Sequence, residues 1–293
     1  MRILHLDAGR EMRGGQWQVL RLMQGLAAAG VEQSLLARRG APLFEEARRR
    51  GWTVAPLGLA QVFWKARRHD LVHAHDARSH TLAALAGGAP LVVARRVAFP
   101  VVSRWKYKRA RRYIAVSECV RSALLAGGVS ERKIDVVHDG VPLLDPASGS
   151  SVLALANESD PQKGVALAVE AGLVAGVTLQ FTGDLERDLS HAAIFVYLTH
   201  SEGLGSAALL AMSASVPVVA SGVGGLREVI RHGENGLLVD NTVEAVAAAL
   251  RELTGDPELA RRLGSAARQT VQERFTIDMM VRKTIETYHK VLA

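Results

Sequence analysis

Residues 193–240 read AIFVYLTHSEGLGSAALLAMSASVPVVASGVGGLREVIRHGENGLLVD. An apolar run over 194–198 predicts a strand, and the polar turn that ends it carries one acid, Glu202. Gly203, Leu204 and Gly205 follow, then an Ala/Leu-rich helix. A second apolar run, 217–220, leads into Gly222, Gly224 and Gly225 and a further helix. Strand, glycine turn and helix in tandem are the building units of a parallel α/β sheet. Glycines at such turns let backbone N–H groups approach a ligand, and helix N-termini carry partial positive charge. The stretch therefore predicts a place for a phosphate or a sugar with a carboxylate beside it.

The same rhythm extends in both directions. Strands are expected over 3–7, 33–37, 71–75, 91–94, 113–116 and 134–138, and helices over 16–29, 44–50 and 118–126. Ser117 is placed to cap the last of these helices, and Gly127 and Gly128 to end it. Residues 139–151, DGVPLLDPASGSS, lose all periodicity and read as a linker. The pattern restarts with strands over 152–156 and 178–182 and a helix over 165–175, and closes with helices over 243–253, 257–274 and 276–292. The expected architecture is two Rossmann-like, doubly wound α/β domains facing across a cleft where strand C-termini meet. The first spans 1–144 and the second 145–275, and the helix of 276–293 crosses back to the first. No internal repeat or low-complexity tract interrupts this plan.

Composition narrows the functional classes. The 293 residues are 48% hydrophobic and 22% charged, which predicts packed globular cores rather than disorder. The single cysteine, Cys119, excludes an internal disulfide framework and fits a reducing cytosol. No charged and then apolar leader precedes the first strand, and no apolar run is long enough to span a bilayer. A formal net charge of +7 favours anionic partners: phosphorylated ligands, anionic lipid or nucleic acid.

Ordered motifs give these properties a family context. Gly14-Gly15-Gln16 follows the first strand; Leu71-Val72-His73-Ala74-His75 fills the third; residues 113–141 read YIAVSECVRSALLAGGVSERKIDVVHDGV; and Asp160-Pro161-Gln162-Lys163-Gly164 precedes the helix of the second domain. With residues 193–240 they resemble, in order and over the full length, the GT-B retaining glycosyltransferases of family 4, the glycosyl transferases group 1. One βα unit usual in the second domain of that family is absent before Phe181-Thr182-Gly183-Asp184, so this domain is expected to be one unit short.

The resemblance implies a catalytic group of Glu202, Lys163, His75 and Arg96. Lys163 and Arg96 would face the leaving diphosphate, since an ammonium or a bidentate guanidinium offsets the charge that develops there. Glu202 would contact the donor sugar. Gly14, Gly15, Arg95, Asn157, Gly203, Leu204, Gly205 and Leu210 fall at donor-binding positions, and Asp76 on the acceptor side. Two positions depart from the family pattern. Asn157 stands where the family has an arginine, and Leu210 stands where it has the glutamate that holds the ribose hydroxyls, which a leucine cannot do. Asp139 replaces the asparagine of an NG turn, a mild change. His73 and His75 share one strand face, so metal ligation is conceivable, with His73 as an ordinary core histidine the simpler reading. The architecture resembles enzymes that need no metal in the protein, and neither metal nor cofactor is expected.

Residues 104–113, RWKYKRARRY, interleave six basic residues with Trp105, Tyr107 and Tyr113. On a helix they would suit an anionic membrane surface with rings at headgroup level; a solvated helix face is the plain alternative. No RNA- or DNA-binding motif accompanies the patch, and nucleic acid is not an expected partner. The expected function is retaining transfer of a sugar from a nucleotide diphosphate sugar to a glycan or lipid-linked hydroxyl acceptor. The setting would be lipopolysaccharide, glycolipid or other cell-envelope glycan synthesis, in the cytoplasm or peripherally on the inner membrane face. The rival is a degenerate, non-catalytic sugar- or lipid-binding member, motivated by Asn157 and Leu210. A nucleotide-sugar epimerase on the same architecture fits the Glu202 turn less well.

Overall fold

A computed structural model of the protein describes residues 1–156 and 163–293. The chain divides into two compact units, Met1–Gly140 with Ile277–Ala293, and Val141–Thr276.

The first unit is built on seven strands: β1 (Arg2–Asp7), β2 (Glu32–Ala37), β3 (Val54–Pro56), β4 (Leu71–Ala74), β5 (Leu91–Arg95), β6 (Arg112–Ala115) and β7 (Ile134–Val136). All are parallel, in the order β3-β2-β1-β4-β5-β6-β7. Parallel sheets are covered by helices on both faces, which is why Ile3, Leu4 and Leu6 are all fully buried although alternate residues point to opposite faces. On one face Ile3, Leu71, Val92 and Ile114 pack with Leu22 and Leu26 of helix Gly14–Ala28 and with Met280, Val281 and Tyr288 of helix Ile277–Leu292. A Cβ on Gly25 would stand 2.4 Å from Val281 Cγ2, so the close approach of these two helices requires glycine there. Each buried aliphatic or aromatic side chain of this kind contributes about 1.5–3 kcal/mol.

The second unit holds five parallel strands among the described residues: β8 (Ser151–Leu155), β9 (Leu179–Thr182), β10 (Ala192–Tyr197), β11 (Val218–Ser221) and β12 (Leu237–Val239). Their order is β12-β11-β10-β8-β9. Val152, Ile194, Val196 and Val219 meet Ala168, Ala171, Val246, Leu250 and Leu263 in its core. In each sheet the chain reverses direction beside the first strand, between β1 and β4 and between β8 and β10. Such switch points open a crevice at the strand C-termini, the usual binding place in open α/β sheets.

Several details differ from the sequence reading. Strands β3 and β12 and helices Leu59–Ala66 and Ala77–Ala86 lie outside it, because three-residue strands, a helix with apolar residues on two faces and an Ala-rich helix show no clean period. The stretch 139–151 is not a free linker: Val141 N donates to Phe275 O, Ala147 N to Ala214 O and Ser148 N to Ser190 O. The RWKYKRARRY tract is helical only over Arg104–Arg109, and its end enters β6. Tyr107 and Tyr113 stack with centroids 5.4 Å apart and are buried, so of its aromatics only Trp105 is exposed.

Candidate functional site

In the first unit the C-terminal ends of β1 and β4 bring together Asp7, His75, Asp76, Arg96 and Asp139. Asp7 ends β1 and is 1% exposed. Its carboxylate accepts from Gly9 N at 2.8 Å and from Gln16 Nε2 at 3.1 and 3.2 Å, which ties the turn after β1 to the first helix. Burial and the neighbouring Asp76 push its pKa up to about 6. Asp76 caps helix Ala77–Ala86 through Arg78 N and Ser79 N and also accepts from Ala8 N at 2.7 Å. It therefore braces the two turns against each other. Gly14 and Gly15 open helix Gly14–Ala28, and a Cβ on Gly15 would lie 3.8 Å from Arg96 Cδ.

The two adjacent arginines have separate settings. The Arg95 guanidinium donates to Val97 O, Phe99 O and the Tyr107 hydroxyl, fixing the loop after β5. Arg96 turns the other way: Nε donates to Asp139 Oδ1 at 3.2 Å and Nη1 lies 3.5 Å from His75 Nδ1. A guanidinium only donates, so His75 Nδ1 accepts and the ring proton sits on Nε2. Nε2 then donates to His5 Nδ1 at 2.9 Å. His73 Nδ1 meets the Tyr288 hydroxyl at 2.7 Å, and its ring centroid is 4.1 Å from that of His75. Burial holds the pKa of His5 down to about 3 and those of His73 and His75 well below the imidazole range. All three are neutral at physiological pH.

His5, His73 and His75 are the one group among the described residues with metal-like spacing, their ligand atoms lying within 4.8 Å of one another. The sequence showed only the pair; β1 adds His5. Buried Nε2 atoms of His5 and His73 lack a hydrogen-bond partner. However, His5 Nδ1 and both nitrogens of His75 already have partners, no carboxylate joins the set, and the Arg96 cation abuts it. A dication there would be desolvated beside a like charge, so the donor set does not suit a resident metal.

In the second unit Lys163 and Glu202 lie at the switch between β8 and β10. Lys163 forms an antiparallel bridge with Thr199, and Gly164 N donates to Leu198 O, so the lysine backbone is pinned to the end of β10. Its Nζ donates to Glu202 Oε2 at 3.1 Å and to the Tyr197 hydroxyl at 2.9 Å, and the hydroxyl also bonds Glu202 Oε2. Glu202 Oε1 accepts from Gly203 N at 3.0 Å. Both charged side chains are mostly shielded, at 20% and 17% exposure. The two glycine turns press together backbone to backbone: Gly225 N donates to Glu202 O at 3.1 Å, and a Cβ on Gly225 would stand 2.0 Å from Gly203 O. Gly205 has φ +104 at the start of helix Ser206–Ser213, a conformation glycine alone adopts readily.

Leu204 and Leu210 are both buried, and Leu210 offers no polar atom beyond its backbone. Asn157 lies outside the described residues, as do Asp160, Pro161 and Gln162. Sequence reasoning passed over Asp7, Tyr197 and Tyr288, and it named Gln16 in the motif at 14–16 without giving it a role. The signal for Asp7 was an acid ending an apolar strand, and for Tyr197 a lone hydroxyl near the end of another. Nothing local marked Tyr288.

The profile described as glycosyl transferases group 1 matches residues 152–270, and that of glycosyltransferase family 4 matches residues 12–143. The chain belongs to the glycosyl transferases group 1 family, with the GT-B α/β fold. It is 40% identical to alpha-maltose-1-phosphate synthase of Mycolicibacterium smegmatis over 119 residues, 38% of this chain and 31% of that protein. It is 34% identical to N-acetyl-alpha-D-glucosaminyl L-malate synthase of Bacillus anthracis over 105 residues, 36% of this chain and 28% of the relative. The matched segments span about a third of these curated relatives. Among solved structures, HepE of Anabaena in complex with UDP-glucose superposes with a TM-score of 0.87 at 17% identity, covering 99% of this chain and 100% of that one. Sucrose-phosphate synthase of Thermosynechococcus elongatus superposes with a TM-score of 0.77 at 20% identity, covering 99% and 98%.

Proposed function

We propose that this protein moves a sugar from a nucleotide diphosphate sugar to a hydroxyl acceptor with retention at the anomeric carbon. The observation that carries the reading is the Lys163–Glu202 pair beside the Gly203 turn, a cation and an acid at a strand switch point with backbone N–H groups next to them. Lys163 would neutralise the leaving diphosphate, with Arg96 as a second cation for it, and Glu202 would orient the sugar. The backbone of Gly14, Gly15, Gly203, Leu204 and Gly205 would approach the donor. His75, neutral and oriented by Arg96, and Asp76 would serve the acceptor. Arg95 would act indirectly, by shaping the loop beside Arg96. The Glu202 carboxylate is already held by Lys163 and the Tyr197 hydroxyl, so front-face attack assisted by the leaving phosphate fits the reading.

The acceptor would be a glycan or a lipid-linked sugar in lipopolysaccharide, glycolipid or other cell-envelope glycan synthesis. The work would take place in the cytoplasm, with residues 104–113 meeting the anionic inner face of the membrane. No described helix is long and apolar enough to cross a membrane.

A second reading is favoured by Leu210: a sugar- or lipid-binding member without transfer, whose nucleoside grip is gone. Calorimetry with a panel of nucleotides and nucleotide sugars separates the two, beginning with UDP-glucose, the ligand of the Anabaena HepE structure. Binding of one nucleotide diphosphate sugar, with transfer lost in Lys163→Ala, supports the transferase. No binding to any donor overturns it in favour of the second reading.

A further inference from the structure

The cationic charge of this protein is concentrated in one part of the first unit. Residues 51–111 carry eleven Lys and Arg against two acids, Asp70 and Asp76, while the rest of the chain has 25 Lys and Arg against 27 Asp and Glu. Both acids are engaged: Asp70 accepts from the Arg2 backbone at 2.7 Å, and Asp76 caps a helix. Three helices of this region pack side by side, Leu59–Ala66 against Ala77–Ala86 and Ala77–Ala86 against Arg104–Arg109. Lys106 Nζ clamps the last pair through Ala77 O and Thr81 Oγ1, both at 3.2 Å.

Large apolar side chains stand out from the same elements. On helix Leu59–Ala66, Val62 and Ala66 are buried, whereas Leu59, Phe63 and Trp64 are exposed, Trp64 to 62%. Lys65, Arg67 and Arg68 flank them, and the Arg67 guanidinium lies 3.4 Å over the Phe63 ring. At the other end Phe99 and Trp105 are exposed, and Val102 is 91% exposed. Leu85 of the central helix is exposed as well. Aromatic rings beside Lys and Arg, in a stretch of chain with only two acids, match the interfacial zone of an anionic bilayer. There the rings enter the headgroup layer, and the Lys and Arg side chains meet the anionic headgroups.

We propose that helix Leu59–Ala66 is a second membrane-contacting element, and that with the segment from Phe99 to Arg109 it seats the first unit on an anionic lipid bilayer. The proposal rests on the membrane reading of residues 104–113 and adds to it a tract that carries its own aromatic anchors. Those anchors stand in for Tyr107 and Tyr113, which the core takes up. A bilayer accounts for exposed Leu59, Leu85 and Val102 as well as for the charge and the rings; a nucleic acid accounts for the charge and the rings but not for the aliphatic side chains.

The test is co-sedimentation of the full chain with vesicles of phosphatidylcholine alone and with 30% phosphatidylglycerol. Wild type, Phe63→Ser/Trp64→Ser and Trp105→Ser are compared, with circular dichroism to show that each is folded. The expected result is binding to the anionic vesicles only, weakened at least tenfold in Phe63→Ser/Trp64→Ser. Wild-type binding that this double variant leaves unchanged while Trp105→Ser loses it overturns the second element and leaves residues 104–113 as the contact. No wild-type binding, or equal binding to neutral vesicles, overturns both. Displacement from the vesicles by single-stranded RNA, with RNA affinity unaltered in the double variant, overturns the lipid assignment in favour of nucleic acid.

Discussion

Lys163 and Glu202 neutralise each other. The ammonium is 3.1 Å from the carboxylate, and the Tyr197 hydroxyl bridges them. A diphosphate that approaches Lys163 thus competes with an acid already in place, and the pair sets how much positive charge the site offers. Glu202→Gln should tighten binding of a free nucleoside diphosphate several-fold while transfer falls steeply. Lys163→Ala should weaken the same binding by about 10- to 100-fold, the value of hydrogen bonds to a charged group. Calorimetry with UDP reads both. A loss of affinity in Glu202→Gln equal to that in Lys163→Ala counts against competition.

Arg96 and Asp139 form the corresponding pair of the first unit, with side chains 15% and 6% exposed. Removing one partner takes the opposite charge from a shielded one, so Asp139→Ala should cost about 2–3 kcal/mol in denaturant unfolding. Arg96→Met/Asp139→Leu should cost less than the sum of the single changes, because neither charge remains to be desolvated. Strict additivity would mean that the two do not act as a pair.

Asp7 makes stability depend on pH in a predictable direction. Its folded pKa of about 6 lies above the ordinary aspartate value of 3.8, so the folded state holds the proton more tightly. Its contribution is fully present below about pH 4 and is lost as pH rises through about 6. Above that, the buried carboxylate costs about 3 kcal/mol. Asp7→Asn keeps the shape without the charge. It should stabilise the protein most near pH 8 and by progressively less toward pH 4, seen as a difference in unfolding free energy from wild type. His5, with its folded pKa lowered to about 3, acts in the opposite sense: its contribution is present above about 6.5 and is lost as pH falls toward 3.

The parallel α/β plan was legible because apolar runs such as 3–7 and 194–198 alternate with helical periods, and glycines punctuate them. Lys163 and Glu202 could be placed at one site through the motif order. Their direct pairing through Tyr197 could not, since a contact between residues 39 positions apart leaves no periodic trace. The same holds for Asp139 with Arg96 and for Tyr288 with His73. The tract at 104–113 shows the opposite failure. Its composition suggested a uniform amphipathic face, but Tyr107 and Tyr113 stack inside the unit and the exposed rings come from residues 59–64 and 99–105. Local composition reports which residues are present, and burial decides which of them a partner meets.

Helix Ile277–Leu292 completes the core of the first unit, yet it follows the second in the chain. The first unit is therefore discontinuous in sequence, and the face that Leu22, Leu26 and Ile114 present stays open until Met280, Val281 and Tyr288 have been made and have docked, with His73 awaiting its tyrosine. Synthesis of Met1–Gly140 does not by itself finish that unit, and a chain cut before residue 277 keeps the open face.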